Sequence, residues 1–339
     1  MSRKTSSRHP RLKRLITSLF VLALVISTVY MLTPSLATYY GAPEDTVLAS
    51  LEVPALEQGE ALILHAGYSM TYDEKHEIAR WVAYHLDRDE LYGLHERKDN
   101  FRPDDAIPTG SAELSDYRGS GYDRGHLIPA ADATWSEEAM SDTFLLSNMA
   151  PQEPMFNRGI WADLEATVRN FADELGGVYV TTGGIYESEH PKTIGNNAVT
   201  VPDAFFKAIL YHTEGETEAI GFILPHAPSD ARLTDFVVSI NTIEEKTGLD
   251  LFPLLDDEME ENIESQADPG LWPFDEFRIT REERSAYLEQ LKNSEGESVS
   301  AGREKTSVAE AGLHLVMEIK RAADPYVHDL RSLINSIFT

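Results

Sequence analysis

Between Gly159 and Gly176 the apolar residues Ile160, Trp161, Leu164, Val168 and Phe171 recur at spacings of 1, 3, 4 and 3. That is the period of a helix with one buried face. Gly176-Gly177 ends it, and residues 178–182 follow at once as a branched and aromatic run that suits a strand. Residues 61–65 and 78–86 read as earlier strands, and residues 204–211 and 219–224 as two later ones joined by a polar turn over 212–217. A second helix is expected over 236–247, stopped by Gly248. Residues 87–116 are polar, carry Pro103, Pro108 and Gly110, and read mostly as loop. Two strands joined by a short turn pair antiparallel, because a parallel pair needs a long crossover. The expected class is therefore α+β, with a central antiparallel sheet flanked by helices.

A chain of 339 residues with 42% hydrophobic and 25% charged content is long and apolar enough to bury a proper core. Cysteine is absent, which removes disulfides, thiolate metal sites and a cysteine nucleophile. The first 37 residues differ in kind. Arg3, Lys4, Arg8, Arg11, Lys13 and Arg14 form a basic head, and residues 15–32 are a largely apolar run without charge. Ser35-Leu36-Ala37 supports a cleaved secretory signal, whereas the length of the run supports a membrane anchor. Either reading delivers the body across a membrane, to a periplasmic, extracellular or tethered location. The expected division is leader 1–37, body 38–265 and a helical extension 266–339. Within the extension, helices over 280–291 and 308–323 flank a Gly/Ser/Glu-rich linker at 294–302.

Charge opposes one class of substrate. The formal net charge is -28, and removing the six basic residues of the head leaves 23 Lys+Arg against 57 Asp+Glu, or -34. Such a body repels polyanions at long range, so a nucleic-acid substrate requires local reversal by arginines or a divalent cation.

The stretch Tyr122-Asp123-Arg124-Gly125-His126-Leu127 holds the chemistry for such a reversal. Histidine ordinarily titrates near neutrality, which suits His126 as a general base. Arg124 is permanently charged and can pair with phosphate oxygens. Gly125 lets backbone approach closely beside the histidine. Asn157 and Glu165 lie eight apart, with Glu165 inside the expected helix, so two turns set them roughly on one side. An oxygen-rich pair of this kind suits a hard cation that keeps most of its waters. Bland alternatives stand beside each reading: eleven histidines are scattered through the chain, Asn is a common helix N-cap, and Glu165 could face solvent.

Taken together, these segments resemble the DNA/RNA non-specific endonuclease family, the ββα-metal nucleases. The resemblance runs through Arg97-Lys98-Asp99-Asn100-Phe101-Arg102-Pro103-Asp104 and Arg118-Gly119-Ser120-Gly121-Tyr122-Asp123-Arg124-Gly125-His126. It resumes at Phe144-Leu145-Leu146-Ser147-Asn148-Met149-Ala150-Pro151-Gln152, at Phe156-Asn157-Arg158-Gly159-Ile160-Trp161 and at Leu164-Glu165. Segments 201–207 and 247–253 extend it, for coverage of roughly residues 65–258.

The resemblance implies a magnesium-dependent endonuclease, with manganese as an alternative ion, acting on DNA and RNA and leaving 5'-phosphate ends. It makes His126 the general base, Asn157 the direct metal ligand and Glu165 the acid that holds metal-bound water. Arg97 and Arg124 would face the phosphate, Asn148 would support the site, and Arg102 and Arg158 are further substrate-binding candidates. Two rival functions remain at this stage: a catalytically weak nucleic-acid or protein-binding module, and a phosphodiesterase for a smaller substrate, which the net charge keeps open.

Overall fold

The computed structural model describes residues 50–274, apart from residue 214. The leader and the helices expected over 280–291 and 308–323 lie outside the described residues. The strands run in chain order as β1 (Ile63–Leu64), β2 (Ser69–Asp73), β3 (Ile78–Asp87), β4 (Asp123–His126), β5 (Met149–Gln152) and β6 (Gly177–Ile185). They continue as β7 (Thr193–Ile194), β8 (Val199–Thr200), β9 (Ala204–His212), β10 (Thr217–Pro225) and β11 (Val237–Val238). The helices are α1 (Leu114–Tyr117), α2 (Glu137–Asp142), α3 (Pro154–Asn157), α4 (Ile160–Leu175), α5 (Ile240–Thr247) and α6 (Asp257–Glu264).

Seven strands form the central sheet in the order β1-β2-β3-β6-β9-β10-β11, and every neighbouring pair is antiparallel. Both faces of its middle are covered, which is why β3 and β9 read as near-continuous apolar runs rather than alternating ones. Side chains alternate along each strand. Trp81, Ala83, Phe206, Ala208 and Leu210 therefore share one face, where they pack with Ile240 and Ile243 of α5, Ile263 of α6 and the turn carrying Leu251 and Phe252. Val82, Tyr84, Phe205 and Lys207 point the other way, toward α4.

Helix α4 supplies that second layer. Trp161, Leu164, Val168 and Phe171 are fully buried, each worth roughly 1.5–3 kcal/mol on removal from water. Gly176 ends the helix in the left-handed conformation at φ 95°, where a residue with Cβ is strained. Arg88 then reaches the freed carbonyls of Asp173 and Glu174, a cation at the negative end of the helix.

The expected helix over 236–247 is shorter at its start. Leu233–Phe236 is a tight turn, Val237–Val238 pairs with Gly221 and Phe222 at the sheet edge, and the helix begins at Ile240 behind Ser239. The Ser239 hydroxyl accepts from Thr242 N–H, which fixes that boundary. The body also continues past residue 265. Trp272 and Phe274 pack on Phe171, with centroids at 4.8 and 5.2 Å, and Asn170 donates to the Pro273 carbonyl.

Candidate active site

The Asp123-Arg124-Gly125-His126 segment is β4, paired with β5 outside the main sheet and followed by α3 and α4. Gly125 faces Ala150 in this ribbon, and the Gln152 side chain lies directly over it. A Cβ at Gly125 would sit 2.1 Å from Gln152 Oε1, so only glycine leaves room for that amide.

Beyond Gly125 the backbone is pinned residue by residue. Trp161 Nε1 donates to the His126 carbonyl at 3.3 Å, and Lys207 Nζ donates to the Leu127 carbonyl at 3.1 Å. Asn148 takes up the rest, for its carbonyl accepts from Leu127 N–H and its Oδ1 from Ile128 N–H. Its amide nitrogen in turn donates to the carbonyls of Ile128 and Thr143. Asn148 is fully buried, so these bonds satisfy a group that would otherwise be costly.

The His126 ring is held between two phenyl rings. Phe144 meets it edge-on at 5.1 Å and Phe101 at 5.9 Å. Each phenyl carries a guanidinium on its face: Arg97 over Phe144 at 4.8 Å and Arg124 over Phe101 at 4.0 Å. Burial, with the Arg97 and Arg124 charges adding to it, pulls the His126 pKa down to about 3. The ring is therefore neutral at physiological pH. Its Nε2 is buried and has no hydrogen-bond partner among the described residues.

Asn157 closes the short helix α3, and the residue that caps α4 is Gly159. Its side chain is thus not used as the cap of α4. Asn157 Nδ2 donates to Asp123 Oδ2 at 3.1 Å, which leaves the amide oxygen as the atom able to meet a cation. Glu165 lies in the second turn of α4, beyond the break at Gly159, so the two residues are not on one continuous helix as the sequence spacing suggests. Burial pushes its carboxyl above the usual range, against the pull of Lys207 and Arg169. Burial likewise pulls the Lys207 ammonium below its ordinary value, against Glu165 and Asp132. Arg169 pairs with Asp132 at 2.9 Å, and the Tyr84 hydroxyl donates to the same carboxylate.

The arginines divide. Arg97 and Arg124 flank His126, whereas Arg102 donates to the Ser141 carbonyl and to Asp142 at the end of α2. Arg158 is exposed and pairs with Asp123 at 2.8 Å. Among the described residues no group of three His, Cys, Asp or Glu side chains converges on a metal-sized point. An amide oxygen such as that of Asn157 is the kind of donor accepted by a hard cation that keeps most of its waters.

The sequence pattern of the DNA/RNA non-specific endonucleases matches residues 50–258. This chain belongs to that family, and its fold is that of the ββα-metal nucleases. Human mitochondrial endonuclease G is 38% identical over 220 residues, covering 61% of this chain and 73% of that protein. The nuclease of Syncephalastrum racemosum is 40% identical over 220 residues, covering 58% and 68%. A solved structure of the EndoG/EndoGI complex aligns with a TM-score of 0.57 at 31% identity, over 61% of this chain and 90% of that one. The chain is therefore a nuclease of the kind that acts on DNA and RNA.

Several participants lie outside the motif and were missed. Lys207 left a signal in the sequence, a single cation in the otherwise apolar run 204–211. Gln152, Phe101 and Phe144 left none that spacing could have revealed.

Proposed function

We propose that this chain is a magnesium-dependent endonuclease that hydrolyses DNA and RNA and leaves 5'-phosphate ends. The observation that carries the reading is the His126 ring, neutral and rigidly pinned, with an unpartnered Nε2 beside Arg97 and Arg124. A neutral imidazole can accept a proton from water as the water oxygen attacks the scissile phosphorus; the P–O3' bond breaks, and the departing 3' oxygen takes a proton from solvent to become the 3'-hydroxyl. The two guanidiniums would stabilise the charge that grows on the phosphate oxygens. Burial would normally leave such a histidine a weak base, but an anionic phosphodiester brought beside it raises its basicity.

Asn157, through its amide oxygen, and Glu165, through water, would hold the magnesium ion. What the ion supplies when bound is positive charge on the phosphate and on the 3' leaving oxygen. Attack by an external water needs no ribose 2'-hydroxyl, so both nucleic acids are substrates. Asn148, Trp161 and Lys207 keep the His126 backbone in place, and Arg158 holds Asp123 against Asn157. The leader over 1–37 would deliver the body across a membrane, as a cleaved signal or a tether; cell fractionation and the mature N-terminus distinguish the two.

The test is cleavage of supercoiled plasmid and of structured RNA by the full chain, with magnesium or with chelator, followed by end-group analysis. The expected result is cleavage of both substrates with magnesium alone and 5'-phosphate ends. Cleavage in chelator, or 3'-phosphate ends, would contradict the proposal.

A further inference from the structure

Helix α3 is one turn long, and a single turn does not hold itself together in water. Its N-cap is Glu153, whose carboxylate accepts from Phe156 N–H at 2.8 Å and whose carbonyl accepts from Asn157 N–H at 2.9 Å. Whatever fixes Glu153 therefore fixes Asn157. That restraint comes from the far end of β10. His226 Nε2 accepts from the Glu153 backbone N–H at 2.7 Å, and His226 Nδ1 lies 2.8 Å from the Pro202 carbonyl. Because Nε2 faces a donor and Nδ1 an acceptor, the proton is on Nδ1 and the ring is neutral. The ring is further wedged edge-on between Phe156 at 5.2 Å and Phe205 at 5.1 Å, so it joins α3 to the middle of the sheet.

We propose that His226 is a positioning residue for the cation site: a neutral imidazole clamp that locks the α3 turn, and with it Asn157, against β9. The inference rests on the assignment of Asn157 as the metal ligand. His226 touches neither His126 nor Asn157 directly, and it acts through Glu153. Burial, which outweighs the Glu153 and Asp203 carboxylates, lowers its pKa and keeps the clamp neutral near physiological pH.

The clamp is tested with full-length His226→Phe, His226→Gln and His226→Asn. Phenylalanine keeps the ring packing and loses both hydrogen bonds. Glutamine can present an acceptor near the Nε2 position, whereas asparagine is too short to do so. Backbone hydrogen exchange is followed without added metal at Phe156 and Asn157, with Val168 of α4 as the internal control. The half-saturating magnesium concentration for plasmid cleavage is measured in parallel.

In His226→Phe and His226→Asn the expected result is at least tenfold faster exchange at Phe156 and Asn157, with Val168 unchanged. The half-saturating magnesium should rise about tenfold, the lower end of what loss of an outer-shell partner does to a metal site. His226→Gln should recover much of both. Unchanged exchange at Phe156 and Asn157 in His226→Phe would overturn the clamp, as would equal behaviour of the Gln and Asn variants. If His226→Phe fails to fold, the Gln and Asn pair decides alone. If exchange responds as expected but magnesium dependence does not, the assignment of Asn157 fails and the clamp stands.

Discussion

Lys207 Nζ lies 3.1 Å from the carbonyl oxygen of Leu127, the residue after His126. The lysine rises from the middle of the sheet, is fully buried, and sets its ammonium 4.8 Å over the Trp161 ring. Trp161 holds the neighbouring carbonyl of His126, so one helix residue and one strand residue fix the base from behind. Lys207→Met keeps the length of the side chain and removes the donor. The expected result is a loss of about 3 kcal/mol or more in stability, because Glu165 and Asp132 lose a buried counter-charge. The kcat should fall by about tenfold or more with KM little changed. Urea denaturation and steady-state kinetics measure the two.

Acid should weaken the folded protein through His126. Folded, His126 takes its proton only near pH 3, whereas the unfolded chain takes it near pH 6.5. Between those values the unfolded state binds the extra proton, so stability falls as pH drops below about 6.5 and is unaffected by this group above it. From pH 6.5 to 5 the contribution is about 2 kcal/mol. His126→Phe should lose less stability than wild type between pH 7 and 5, as read from urea midpoints. Identical losses would contradict the buried neutral state.

Gly125 and Gln152 are a matched pair. Gly125→Ala forces Cβ into the Gln152 amide and should cost about 1–3 kcal/mol, the usual range for overpacking. Gln152→Ala in the same chain should return most of that loss, giving a coupling energy of at least 0.5 kcal/mol in a double-mutant cycle. Additive effects would show that the contact does not explain the glycine.

Arg97 and Arg102 are five residues apart and should behave differently. Arg97→Ala removes a charge beside His126 and should lower kcat by about 10²–10³, with the melting temperature kept. Arg102→Ala frees the Ser141 carbonyl and Asp142 and should lower stability by about 1–2 kcal/mol instead. Reversed phenotypes would exchange the two roles.

Much of the frame is legible in the sequence. The period of Ile160, Trp161, Leu164, Val168 and Phe171 places α4, and the apolar runs of β3, β6, β9 and β10 place the sheet, because these elements bury long regular faces. The start of the helix at Ile240 is obscured in the sequence by Val237 and Val238, half-buried apolar residues that pair at the sheet edge. Strand β2, with Ser69 and Thr71 among its buried residues, lacks the apolar alternation that marks a strand. The site motif reads out the chemistry but not its supports. Lys207, Gln152 and His226 reach it only through contacts between distant segments, which no local spacing encodes.

The central claim is that His126 is the base of a magnesium-dependent nuclease. Single-turnover cleavage of plasmid DNA by wild type and by His126→Ala, both at saturating magnesium and with matched folding by circular dichroism, tests it most directly. The account predicts a rate lower by about 10²–10⁴ in the variant, the usual contribution of a positioned base. Cleavage by His126→Ala at the wild-type rate would contradict it.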